Sequence, residues 1–65
     1  MLYFRTEYPI SSGGVRTAYG KNDRDNIRVG DSVLLGSSGP KIRATVVEML
    51  DSIPAGKTVN WAYLA

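Results

Sequence analysis

Lys41-Ile42-Arg43-Ala44-Thr45-Val46-Val47-Glu48-Met49-Leu50-Asp51-Ser52-Ile53 is the stretch on which the fold turns, because two periods compete for it. As a strand, Ile42, Ala44, Val46 and Leu50 share one face, but Glu48 intrudes on it. As a helix, Ile42, Val46, Met49, Leu50 and Ile53 fall on one stripe at spacings of four, three, one and three, which is the better count. Against the helix stands Thr45-Val46-Val47, three consecutive β-branched residues that lose side-chain freedom there. The preceding Pro40 suits a helix N1 position or a strand edge equally. Local pattern leaves both open.

Upstream, Ile27-Arg28-Val29-Gly30-Asp31-Ser32-Val33-Leu34-Leu35 places a Gly-Asp pair between two short apolar runs. Glycine supplies the unusual backbone angle and Asp31 can bond the backbone just beyond it, so the pair is expected to be a corner between strands. Gly36-Ser37-Ser38-Gly39-Pro40 is a second turn signal. Nearer the start, Leu2, Phe4, Thr6 and Tyr8 alternate with Tyr3, Arg5 and Glu7, a half-buried strand that Pro9 ends. Ser11-Ser12-Gly13-Gly14 then turns the chain into Val15, Thr17 and Tyr19 alternating with Arg16 and Ala18, which makes a hairpin. Residues 20–26 are polar, without an apolar anchor, and are expected to be an exposed, mobile loop. Val59, Trp61 and Tyr63 form a last strand of mostly buried character.

Composition bounds the function. Sixty-five residues make one domain, 1–65, near the size at which a chain buries only about 60% of its unfolded surface, so self-association is open. There is no cysteine and no histidine, which excludes disulfides, thiolate chemistry and zinc sites. The first residues lack a secretory pattern and no apolar run approaches a membrane span, so a soluble, cytoplasmic protein is expected. Eight Lys plus Arg against six Asp plus Glu give +2, a balance that permits nucleic-acid contact without demanding it.

Two resemblances follow from these residues. Val29-Gly30-Asp31-x-Val33-x-Leu35-x-Ser37-x-Gly39-Pro40-Lys41-Ile42 resembles the opening of the small bacterial YodC-like proteins, a family with no assigned chemistry. The continuation Arg43-Ala44-Thr45-Val46-Val47-Glu48 and Lys57-Thr58-Val59-Asn60-Trp61 is similar to SH3-like barrels, in which a hairpin returns on a Val-x-Trp strand. This likeness covers residues 27–63 and departs from the pattern at Ser38 and Ala44, where glycine is usual. It implies a fold rather than a function. A rival likeness over residues 42–65 joins Ile42, Val46, Leu50, Ile53-Pro54-x-Gly56, Asn60-Trp61 and Leu64-Ala65 to the DNA-binding domain of alkylguanine-DNA alkyltransferases. There a reactive Pro-Cys-His-Arg stretch follows, and neither Cys nor His occurs here, so this likeness implies local helix rather than activity.

Candidate sites are few. Residues 51–58 fall one glycine short of a phosphate-binding loop and lead into a strand, so a hairpin loop tightened by Pro54 and Gly56 is expected. Asn22-Asp23-Arg24-Asp25-Asn26 gathers oxygens, but Ile27 falls where a calcium loop needs a ligand, and a solvated turn is expected. Ser11, Ser12, Ser37 and Ser38 lie in glycine turns with no base in prospect, so no catalytic residue, cofactor or metal is expected. Arg5 and Lys21 belong with the basic residues that could line a surface, and Tyr3, Tyr19 and Trp61 are stacking candidates, although Trp61 on an apolar strand is expected in the core.

Together these signals predict a mainly β fold, a small antiparallel SH3-like barrel or roll of about five strands, with residues 42–50 a long bent strand that buries apolar groups on both sides. The alternative is α+β with one helix at about 41–52. The expected function is a non-catalytic binding module, an adaptor or self-associating protein meeting a protein partner. The alternative is a weak nucleic-acid binder using Arg16, Arg24, Arg28, Lys41, Arg43 and Tyr19.

Overall fold

Residues 42–50 are extended. The computed structural model describes residues 1–36 and 41–65, with strands β1 (Leu2–Pro9), β2 (Val15–Asn22), β3 (Ser32–Leu35), β4 (Ile42–Leu50) and β5 (Val59–Leu64). They close into a barrel in the order β1-β2-β5-β3-β4. No helix occurs among the described residues, which corrects the alternative of a helix at 41–52.

The cause of the misleading period is a bulge. On β4, Val46 lies opposite Thr6 and Glu48 opposite Arg5, which leaves Val47 without a partner. One extra residue bends the strand and shifts its alternation by one position. Val46 therefore remains inside, while Glu48 comes out beside Arg5 instead of intruding on the core. The same bulge corrects the expectation of burial on both sides of β4. Val47 is only half-buried, and Met49, opposite Phe4 at the end of the strand, is exposed.

The core follows from the phase of each strand. Phe4, Val33, Leu35, Ala44, Val46 and Ala62 point inward, Ile27 joins them from the loop before β3, and Leu2, Tyr8 and Ala18 pack around them. Gly20 faces Phe4 across β1 and β2, and the phenyl ring occupies the space a side chain would take. Thr6 is fully buried, and its hydroxyl donates to the Ala18 carbonyl at 2.8 Å. Among the described residues every buried side-chain polar atom has a partner, as a small interior requires.

The Gly-Asp corner forms, though its bonds run backwards from the expected direction. Gly30 has φ +95°, the Asp31 N–H donates to the Arg28 carbonyl at 3.0 Å, and the Asp31 carboxylate accepts from the Arg28 N–H at 2.9 Å. A left-handed glycine in the third position of a four-residue turn is the geometry that only glycine enters freely. The corner then grips β4: Gly30 N–H donates to the Val46 carbonyl and Val46 N–H to the Asp31 carbonyl, at 2.8 and 2.9 Å. Because those bonds occupy the backbone, the run of Ile27 to Val29 is a connection rather than a strand.

Three more expectations change. Residues 20–22 belong to β2, and Asn22 is buried, so the polar loop shrinks to exposed residues 23–26. The antiparallel pattern holds for four pairings, whereas β2 and β5 run parallel. The turn at residues 54–57 forms, with Gly56 at φ +80° and a 3.2 Å bond from the Lys57 N–H to the Pro54 carbonyl. It is not a hairpin, because β5 returns between β2 and β3 rather than beside β4. The turn expected over residues 36–40 lies, apart from Gly36, outside the described residues, as do Ser37 and Ser38.

Candidate binding face

With Phe4 and Thr6 inside, period two obliges Tyr3, Arg5 and Glu7 to face out from β1. On β2 the inward Gly20 and Asn22 send Tyr19 and Lys21 outward, and on β5 the buried Ala62 does the same for Trp61. Register then assembles two rows across the outside of the barrel. One runs Leu50, Tyr3, Lys21, Trp61 and the other Glu48, Arg5, Tyr19, Val59. Directly opposed residues on one face of a sheet have neighbouring Cβ atoms, so each row is a line of neighbouring side chains.

Trp61 is thus half-buried on the outer face, which corrects its expected place in the core. An inward indole has no room where Ala62 already fits against Leu35. The Lys21 ammonium instead lies 4.5 Å from the centre of the indole ring, a cation–π contact. Likewise Tyr63 is exposed, so the aromatic side of β5 is its wet side and the last strand is not mostly buried. In the second row Arg5 donates to Glu48 and Glu7, each at 3.0 Å, and these hydrogen bonds raise its pKa, Glu48 most, so its charge is fixed.

Beside these rows lies an open groove of about 500 Å³, between Thr17, Ala18 and Tyr19 on β2 and Lys57, Thr58 and Asn60 where the chain enters β5. It exists because the β2–β5 pairing is short, covering only Tyr19 to Lys21.

The six residues expected for nucleic-acid contact are distributed. Tyr19 joins the outer rows. Arg16 is the second residue of β2, while Arg24 and Arg28 follow its other end, about 20 Å away at the rise of a strand. Arg43 lies on β4 opposite Leu34, and the neighbouring Lys41 donates to the Gly36 carbonyl at 2.7 Å. Lys21, expected among the surface cations but within a loop, lies instead on β2, and the residue that the structure adds is Lys57 at the groove. A usable signal existed for Lys21: continuing the β2 alternation by one step places it next to Tyr19.

Among the described residues no three His, Cys, Asp or Glu side chains gather to hold a metal, and Asn22 of the oxygen-rich stretch is turned into the barrel. No helix among them is long and apolar enough to cross a membrane. Comparison with family models, with curated proteins and with solved structures finds no match.

Proposed function

We propose that this chain is a non-catalytic binding module that meets a protein partner through the outer face of β1, β2 and β5. The observation that carries the proposal is the outward placement of Tyr3, Tyr19 and Trp61 with Lys21 among them. Rigid aromatic rings beside a cation are the side chains that dominate interface energies, since they bury large area at low cost in entropy. The SH3-like kinship and a cytoplasmic setting belong to the same proposal. A photo-crosslinking residue in place of Tyr3 tests it: a discrete adduct is expected from Tyr3 and not from Thr45 on β4. Adducts from position 45 alone, or from neither, overturn it.

A second reading is favoured by the same rings. Three aromatic faces and a lysine could stack bases and meet phosphate, a mode in which each stacked base contributes about 1–3 kcal/mol. Arg16, Arg24, Arg28, Lys41 and Arg43 supply no concentrated charge to it, since they stand on separate segments, and this is what supports the protein partner instead. Trp61 is the sole tryptophan, so its fluorescence reports directly on the face. Quenching by single-stranded oligonucleotide that weakens steeply with salt would establish nucleic-acid binding, and no quenching at about 100 µM protein at low salt would exclude it.

A further inference from the structure

We propose that the open half of the β2–β5 seam receives an extended, acidic segment of a partner protein as an added strand beside residues 15–18. The inference rests on the binding-module reading and names where and how its partner docks. All eight residues of β2 pair with β1, but only Tyr19, Gly20 and Lys21 pair with β5. Residues 15–18 therefore have a ladder on one side alone, and among the described residues no backbone bond reaches them from residues 57 and 58. The seam stops at a defined point, where the Asn60 side-chain amide donates to the Tyr19 carbonyl at 3.2 Å. Below it lies about 13 Å of strand edge, four residues at the usual rise, with neither proline nor bulge to block pairing.

The groove fixes the chemistry of the occupant. Its walls carry two cations, Arg5 and Lys57, and no carboxylate. Arg5 is already balanced by Glu7 and Glu48, whereas Lys57 has no carboxylate within ion-pair distance among the described residues. An incoming strand would gain backbone hydrogen bonds along the edge, the source of affinity in strand addition, and its acidic side chains would meet Lys57. A second copy of this chain suits the seam poorly, because its own open edge, residues 15–18, carries Arg16 and no carboxylate to meet Lys57.

The test uses the full chain labelled with nitrogen-15 and a blocked hexapeptide of alternating glutamate and valine. Amide shifts are expected at residues 15–18, 57 and 58, with slowed hydrogen exchange along the β2 edge. Lys57→Glu is exposed and should keep the rest of the spectrum while weakening binding about tenfold or more, as removal and reversal of a contact charge does. The same hexapeptide with lysine for glutamate should not bind. Absence of shifts at about 1 mM peptide, a weak limit for any specific contact, overturns the proposal. So do equal binding of the lysine peptide and indifference to Lys57→Glu. Shifts confined to Tyr3, Lys21 and Trp61 also overturn it but leave the binding-face reading standing.

Discussion

Gly20→Ala isolates the packing on which the barrel depends. A Cβ built on Gly20 would stand 2.5 Å from Phe4 Cε2, 3.1 Å from Cζ and 3.2 Å from Cδ2, where carbon atoms prefer about 3.5–4.0 Å. Gly20 has no positive φ, so alanine meets no backbone strain and the whole penalty is steric. Overpacking of this kind costs about 1–3 kcal/mol. Replacing a strand glycine returns roughly 0.5–1 kcal/mol by restricting the unfolded chain. The expected net loss is about 1–2 kcal/mol, against the roughly 3–10 kcal/mol that 65 residues of folded chain provide. In urea the midpoint should fall by about 1–2 M, given a slope near 1 kcal/mol/M for so small a domain. Phe4→Leu removes the two nearest of these atoms, Cε2 and Cζ, so Gly20→Ala should cost less in that background, with a coupling of about 0.5 kcal/mol or more. A neutral or stabilising Gly20→Ala, or an equal cost in both backgrounds, would refute the account of glycine and phenyl sharing one space.

Other outcomes follow from single contacts. Asn22, 1% exposed, donates to the Ala62 carbonyl and accepts from the Arg24 N–H, both at 2.8 Å, so Asn22→Ala should cost about 1–3 kcal/mol by chemical denaturation. Gly30→Ala forces alanine to φ +95° with open space around it, so a loss of about 1–2 kcal/mol from strain alone is expected in thermal melts. Asp31→Ala removes one bond to the Arg28 N–H and should cost less, about 0.5–1.5 kcal/mol. A double-mutant cycle on Arg5→Gln and Glu48→Gln should give a coupling below about 1 kcal/mol, because both side chains are partly exposed and solvent screens them. About 1 M salt should erase that coupling, and its persistence would mean the pair is buried in solution.

The candidate face was half legible. Tyr3, Tyr19 and Trp61 stood out as stacking groups from residue type, but sequence reasoning assigned Trp61 to the interior because an apolar strand with a tryptophan usually buries it. What decides its direction is Ala62, whose small side chain fits between β2 and β3. The groove had no sequence signature, since it is the gap left where a parallel pairing of distant segments stops.

Alternation in residues 2–8, the hairpin glycines and the Gly-Asp corner are local properties, and they determined five short extended segments around an apolar interior without help from anything distant. Residues 41–53 were different. Their helical count arose because a bulge at Val47 breaks a period of two, and a bulge exists only where β1 supplies Thr6 and Arg5 on the opposite side. The strand order, the parallel β2–β5 seam and the outward turn of Trp61 likewise depend on pairings between residues some forty positions apart. Local sequence sets what each segment prefers, but which partner it finds, and so which face it shows to solvent, is fixed by the closure of the barrel as a whole.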